Sequence, residues 1–75
     1  MTRMLHMWTI YKHPKDYPND YVARLWEVTA SGPVATASIV IAPSLEFLRE
    51  QMMEMGLVMM TRSPGDDPVI VETWL

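Results

Sequence analysis

Only one stretch of this chain repeats its apolar residues at helical spacing. Behind Ser44, the segment LEFLREQMMEM places Leu45, Leu48, Met52 and Met55 three, four and three residues apart. Ser44 is a suitable N-cap, because its hydroxyl can accept a hydrogen bond from a free N–H of the first turn. Gly56 stands where a left-handed residue closes a helix, so the helix should run for about three turns. A single helix carries an apolar stripe wide enough for one side of a sheet. Whatever sheet the remaining residues build therefore has one face without a helical cover.

The rest of the chain reads as strands. Met4 to Lys12 and Tyr21 to Thr29 are rich in Trp, Tyr, Ile, Val and Thr, which suit a pleated surface. HPKDYPND, residues 13–20, connects them as a long loop stiffened by two prolines. Ser31-Gly32-Pro33 marks a turn before a third strand, Val34 to Ile41. Beyond the helix, LVMMTR and VIVETWL flank the turn sequence SPGDDP and read as a second hairpin. The prediction is an α+β domain over residues 1–75, in the order three strands, helix, two strands. Its four- to five-stranded, mainly antiparallel sheet carries the helix on one face. Strand order within the sheet is left open.

Composition narrows the function classes. A chain of 75 residues buries only roughly 60% of its unfolded surface, which leaves little room for a deep active site. There is no cysteine, hence no disulfide, thiolate zinc site or cysteine nucleophile. The longest uninterrupted apolar stretch, Met55 to Met60, is far below the roughly 18 residues that span a bilayer. The first residues do not have the layout of a secretory signal, so the cytoplasm is the expected compartment.

Two stretches, WTIYKHPKDYPNDYVARLWE from Trp8 to Glu27 and SPGDDPVIVETWL from Ser63 to Leu75, resemble a family of short, uncharacterised proteobacterial and phage-borne proteins. Together they cover 33 of the 75 residues. The shared pattern is an aromatic strand entering a proline and aspartate loop, an arginine and tryptophan strand, and an SP-x-DDPVIVE-x-WL ending. The resemblance implies a small bacterial or phage-borne protein, and it transfers no catalytic or binding residue.

The residues that could carry chemistry are few. His6 and His13 are seven positions apart across a strand end and a loop, with Asp16 and Asp20 beyond them, and this is not a metal-ligand spacing. Asp66 and Asp67 beside Gly65 lack the alternating oxygen ligands and terminal glutamate of a calcium loop. No GxSxG elbow is present, and the glycines at 32, 56 and 65 cannot form a phosphate-cradling loop. No metal, cofactor or catalytic residue is expected, and the chain is not expected to be an enzyme.

The tryptophans are more informative. Alternate residues of a strand share a face, so Trp8 goes with His6, Ile10 and Lys12, Trp26 with Val22, Arg24 and Val28, and Trp74 with Ile70 and Glu72. On the third strand, Ala35, Ala37, Ile39 and Ile41 form a small apolar set suited to lie beneath the helix. Two arrangements are then open. The tryptophans fill the core, or Trp8, Arg24, Trp26, Glu72 and Trp74 gather on the uncovered face as a partner-binding surface. In the second case, a symmetric homodimer is its simplest use.

Charge is unevenly spread within a net −3: four basic and three acidic residues precede Ser31, and two basic and six acidic residues follow from there. Glu46, Glu50 and Glu54 repeat every fourth residue as an acidic row along the helix, partly offset by Arg49. Such a row either aids solubility or meets a basic groove. Without a basic cluster, direct nucleic-acid binding lacks its main electrostatic term. The five methionines from 52 to 60 read chiefly as core residues. The leading expectation is a non-catalytic module that binds another protein or a second copy. By analogy, one concrete case is a phage or mobile-element inhibitor of a host defence complex, of the anti-CRISPR kind. The rival is a small-molecule binder or minor enzyme whose site forms between subunits around His6, His13 or Arg24.

Overall fold

The computed structural model describes residues 5–61, 65 and 68–75. Its elements are β1 (Leu5–Lys12), β2 (Tyr21–Thr29), β3 (Gly32–Ala42), α1 (Leu45–Glu54), β4 (Met59–Thr61) and β5 (Ile70–Trp74). The five strands form one open antiparallel sheet in the order β3-β2-β1-β5-β4, with the helix on one face. This is the α+β architecture expected from the residue pattern. The central place of β1 follows from two long antiparallel ladders, to β2 on one side and β5 on the other.

Local chemistry explains the boundaries. Thr29 Oγ1 donates to the Gly32 carbonyl at 2.7 Å and accepts from the Ser31 N–H at 3.2 Å, tightening a two-residue turn at Ala30-Ser31. The turn therefore comes one residue earlier than Ser31-Gly32-Pro33 predicts. Pro33 belongs to β3, an edge strand on which a missing N–H is tolerated. Ser44 caps α1 by accepting from the Phe47 N–H at 3.3 Å. Gly56 ends it at φ 76°, in the left-handed region that favours glycine. The 62–64 and 66–67 part of the final connection, with Asp66 and Asp67, lies outside the described residues.

The main core cluster lies on one side of the sheet, with Val22 and Thr9 buried on the other. Leu48 and Met52 of α1 are fully buried against Ile10, Ala23, Ala42 and Trp74, with Trp8, Tyr21, Val40, Leu45, Leu57 and Val71 packed around them. Ala23 and Ala42 are the small residues beneath the helix. The expected set of Ala35, Ala37, Ile39 and Ile41 is not. Ala35 sits opposite Trp26, Ile39 opposite Arg24 and Ile41 opposite Val22, which places them on the face away from α1. The hairpin register decides this, because Ala42 is paired to the helix-facing Tyr21. Only Met52 of the five methionines from 52 to 60 is a core residue. Met53, Met55, Met59 and Met60 are exposed, since α1 stops at Glu54 and β4 is a short edge strand.

Candidate interaction surface

Strand pairing assigns every candidate side chain to a face. Ile10 lies beneath the helix, and its neighbours of the same parity, Trp8 and Lys12, share that side. Opposite Trp8 stands Trp74, and opposite Ile10 stands Glu72. Trp8, Glu72 and Trp74 thus belong to the helix-covered face. Trp26 and Arg24 have the other parity and lie on the uncovered one. The tryptophans and charges do not converge as a single surface.

The reason lies in one bulge and in the register of the strands. A bulge in β5 at Val71 pairs Ile70 with Tyr11 while Glu72 stays opposite Ile10, so Ile70 leaves the face of Glu72 and Trp74. In β2, Trp26 is fixed opposite Met7 by the β1 hairpin. Trp74, opposite the helix-facing Trp8, is buried in the core, and Glu72, of the same parity, is carried beneath the helix with it. There Glu72 accepts from Arg49 Nη2 at 2.7 Å, from Arg49 Nε at 3.2 Å and from Trp74 Nε1 at 2.7 Å. The hydrogen bond to Glu72 holds the Arg49 guanidinium above the ordinary arginine range, against the opposing effect of burial and with help from the charges of Glu72 and Glu46. Arg49, expected to offset the acidic row, makes its hydrogen bonds to Glu72 while the charge of Glu46 still acts on it. Glu72 is a structural carboxylate, not a surface group.

The uncovered face carries a shallow cleft of about 300 Å³ between β1, β2, β3 and β5. Met7, Thr9 and Tyr11 form its floor. Trp26 and Pro33 stand on one flank, Ile70 and Thr73 on the other. The lining is mainly apolar with three hydroxyl groups. Trp26 Nε1 is buried here and has no hydrogen-bond acceptor among the described residues. Arg24, on the same face, reaches the Thr36 carbonyl at 3.4 Å. Sequence reasoning missed Met7, Thr9, Tyr11, Pro33, Ile70 and Thr73. The signal was the second parity of β1, which becomes meaningful only once Trp8 is known to face the helix.

The remaining candidates stay apart. Glu46, Glu50 and Glu54 are exposed along α1. His6 sits near the start of β1 and His13 just beyond its end, where its ring meets the Tyr21 ring edge-on at 5.2 Å. Among the described residues, no group of three or more His, Asp or Glu side chains is placed to hold a metal ion, and no helix is long and apolar enough to cross a membrane. Comparison with protein-family models, with curated proteins and with solved structures finds no match to this chain.

Proposed function

We propose that this chain is a small, non-catalytic protein-interaction module whose contact surface is the uncovered sheet face around Trp26. The observation that carries this reading is the division of the sheet. One face carries the only helix of the described residues over its core, while the other keeps an open apolar cleft flanked by a tryptophan. Half-exposed aromatic anchors with apolar neighbours and hydrogen-bonding groups nearby are the kind of surface in which a few residues dominate binding energy. Arg24 at the margin adds a charge for selectivity. An inhibitor of a host defence complex, carried by phage or another mobile element and acting in the cytoplasm, is the concrete case we favour. Its support is the small size, the net charge of −3 and the exposed row of Glu46, Glu50 and Glu54.

The size and lining of the cleft also favour one second reading, a small-molecule site, because about 300 Å³ is at the lower end of ligand pockets. Affinity capture with wild-type protein and Trp26→Ala separates the two. Loss of a macromolecular partner on an intact fold supports the interaction module. A variant that keeps every association overturns it, and thermal stabilisation by a metabolite, lost in the same variant, establishes the second reading.

A further inference from the structure

The sheet has two edges, and they differ. β4 is three residues long, whereas β3 runs for eleven residues along the opposite edge. Edge strands offer a row of free N–H and C=O groups to any other strand, and proteins guard them with charges, prolines or bulges. In β3 the guards cover only one part. Pro33 and a register shift opposite Leu25 occupy its first half, where Thr36 Oγ1 donates to the Leu25 carbonyl at 2.8 Å and accepts from the Ser38 N–H at 3.1 Å. The second half, Ile39 to Ala42, is a regular extended run with no proline before Pro43. It has no charge either. No charged residue occurs anywhere between Glu27 and Glu46.

The helix adds an apolar flank to this edge. Arg49 leans toward β5, where it binds Glu72. Phe47, two residues earlier, is rotated by about 200° around the helix axis and so leans toward β3. It is 47% exposed, and Ile41 on the other side of the sheet is 41% exposed.

We infer that Ile39 to Ala42 is the seam of a homodimer, in which the β3 edges of two copies pair antiparallel and join their sheets into one. Self-pairing fits this edge for three reasons. A two-fold axis normal to the sheet brings the same segment against itself in antiparallel order, with both helices on one side. Ile39 and Ile41 of the two copies then form one row on the uncovered face, while Val40 and Ala42 continue the helix-facing layer. Two chains of net charge −3 meet along a stretch where neither carries a charge, so no like charges are apposed. The pairing leaves both Trp26 clefts facing the same way. It is independent of what those clefts bind, and Trp26→Ala does not alter it.

Light scattering over a concentration series tests the seam, with circular dichroism to confirm folding. The wild type is expected as a dimer that dissociates on dilution. Ile41→Lys sets like charges across the seam and raises the dissociation midpoint by at least about tenfold. Met53→Lys, the same change of charge on an exposed helix position, leaves the midpoint unaltered. A wild-type chain that stays monomeric at every concentration overturns the inference. So does an Ile41→Lys protein as dimeric as the wild type, or a Met53→Lys protein as weakened as Ile41→Lys. Two further readouts do not depend on that variant's folding. In the wild type, some amides of Ile39 to Ala42 gain exchange protection on going from dilute to concentrated protein. In this cysteine-free chain, either register of the two-fold sets Ile41 opposite Ile41 or opposite Ile39, so an Ile39→Cys/Ile41→Cys variant forms a disulfide-linked dimer on mild oxidation. Concentration-independent exchange, or no cross-link in the folded double variant, rejects the seam.

Discussion

Arg49 on the helix holds Glu72 on β5 through a 2.7 Å contact from Nη2 and two 3.2 Å contacts from Nε, fastening the cover to the sheet by a side-on pair. The carboxylate side chain is 3% exposed and the guanidinium side chain 41%. That asymmetry sets the expected cost of breaking the pair. Arg49→Ala strands a carboxylate inside, which in a fully buried pair costs roughly 3–5 kcal/mol. Here Trp74 Nε1 still donates to it, and water can enter from the half-open arginine side. A loss of about 2 kcal/mol is expected in urea unfolding at neutral pH. A loss below about 0.5 kcal/mol would class the pair with ordinary surface salt bridges.

The same pair makes a prediction about pH. A group held above its unfolded pKa contributes its stability in full below the unfolded value and loses it only as pH rises through the folded one. Arg49 is such a group, held up by the hydrogen bond to Glu72. Its window lies above the ordinary arginine range, beyond mild alkalinity. The difference in Tm between wild type and Arg49→Ala should therefore stay constant from about pH 7 to about pH 10. A difference that shrinks across that interval would assign the stabilisation to another group.

The ends of α1 and of β2 were legible because they are written in neighbouring residues. Ser44 and Gly56 bracket the helix by cap chemistry alone, and Tyr21–Thr29 is bounded by the Pro18-Asn19 turn and by a turn that the sequence places one residue late. The faces were not legible to the same degree. Parity within a strand is local, and the grouping of Trp26 with Val28 or of Trp8 with Ile10 needs nothing more. Whether Trp8 and Trp26 share a side depends on register between strands, and a shift of one residue reverses it. The bulge at Val71 adds a reversal inside β5 that no apolar pattern announces. For that reason the strand neighbours of each tryptophan were legible but its face was not, and only Trp26 and Arg24 of the five candidates stand on the uncovered face.

The two helix ends offer a comparison of side-chain and backbone terms. Ser44→Ala removes the acceptor of the Phe47 N–H and should cost about 1 kcal/mol. Gly56→Ala meets no atom within 4 Å of its new Cβ, so its whole cost is the left-handed backbone at φ 76°, again about 1 kcal/mol. Gly56→Asn should recover part of that loss, since asparagine visits this region more readily. Thermal unfolding of the three proteins checks the ranking. A Gly56→Asn protein no more stable than Gly56→Ala would point to a contact, not a torsion, as the reason for glycine.

Two indoles in opposite circumstances provide the last test. Trp74 Nε1 donates to the Glu72 carboxylate at 2.7 Å, whereas Trp26 Nε1 is buried with no acceptor among the described residues. Phenylalanine keeps an aromatic ring at either place and deletes the N–H. At position 74 it removes a hydrogen bond to a buried charge, with an expected loss of about 2 kcal/mol. At position 26 it removes a donor whose burial is already unfavourable, and this offsets the smaller ring, so stability should change by less than about 1 kcal/mol. Urea unfolding followed by far-ultraviolet circular dichroism avoids the altered fluorescence of either variant. Equal losses at the two sites would mean that the Trp26 N–H is satisfied in solution, by an acceptor that the cleft gains when the face is occupied or the sheet shifts.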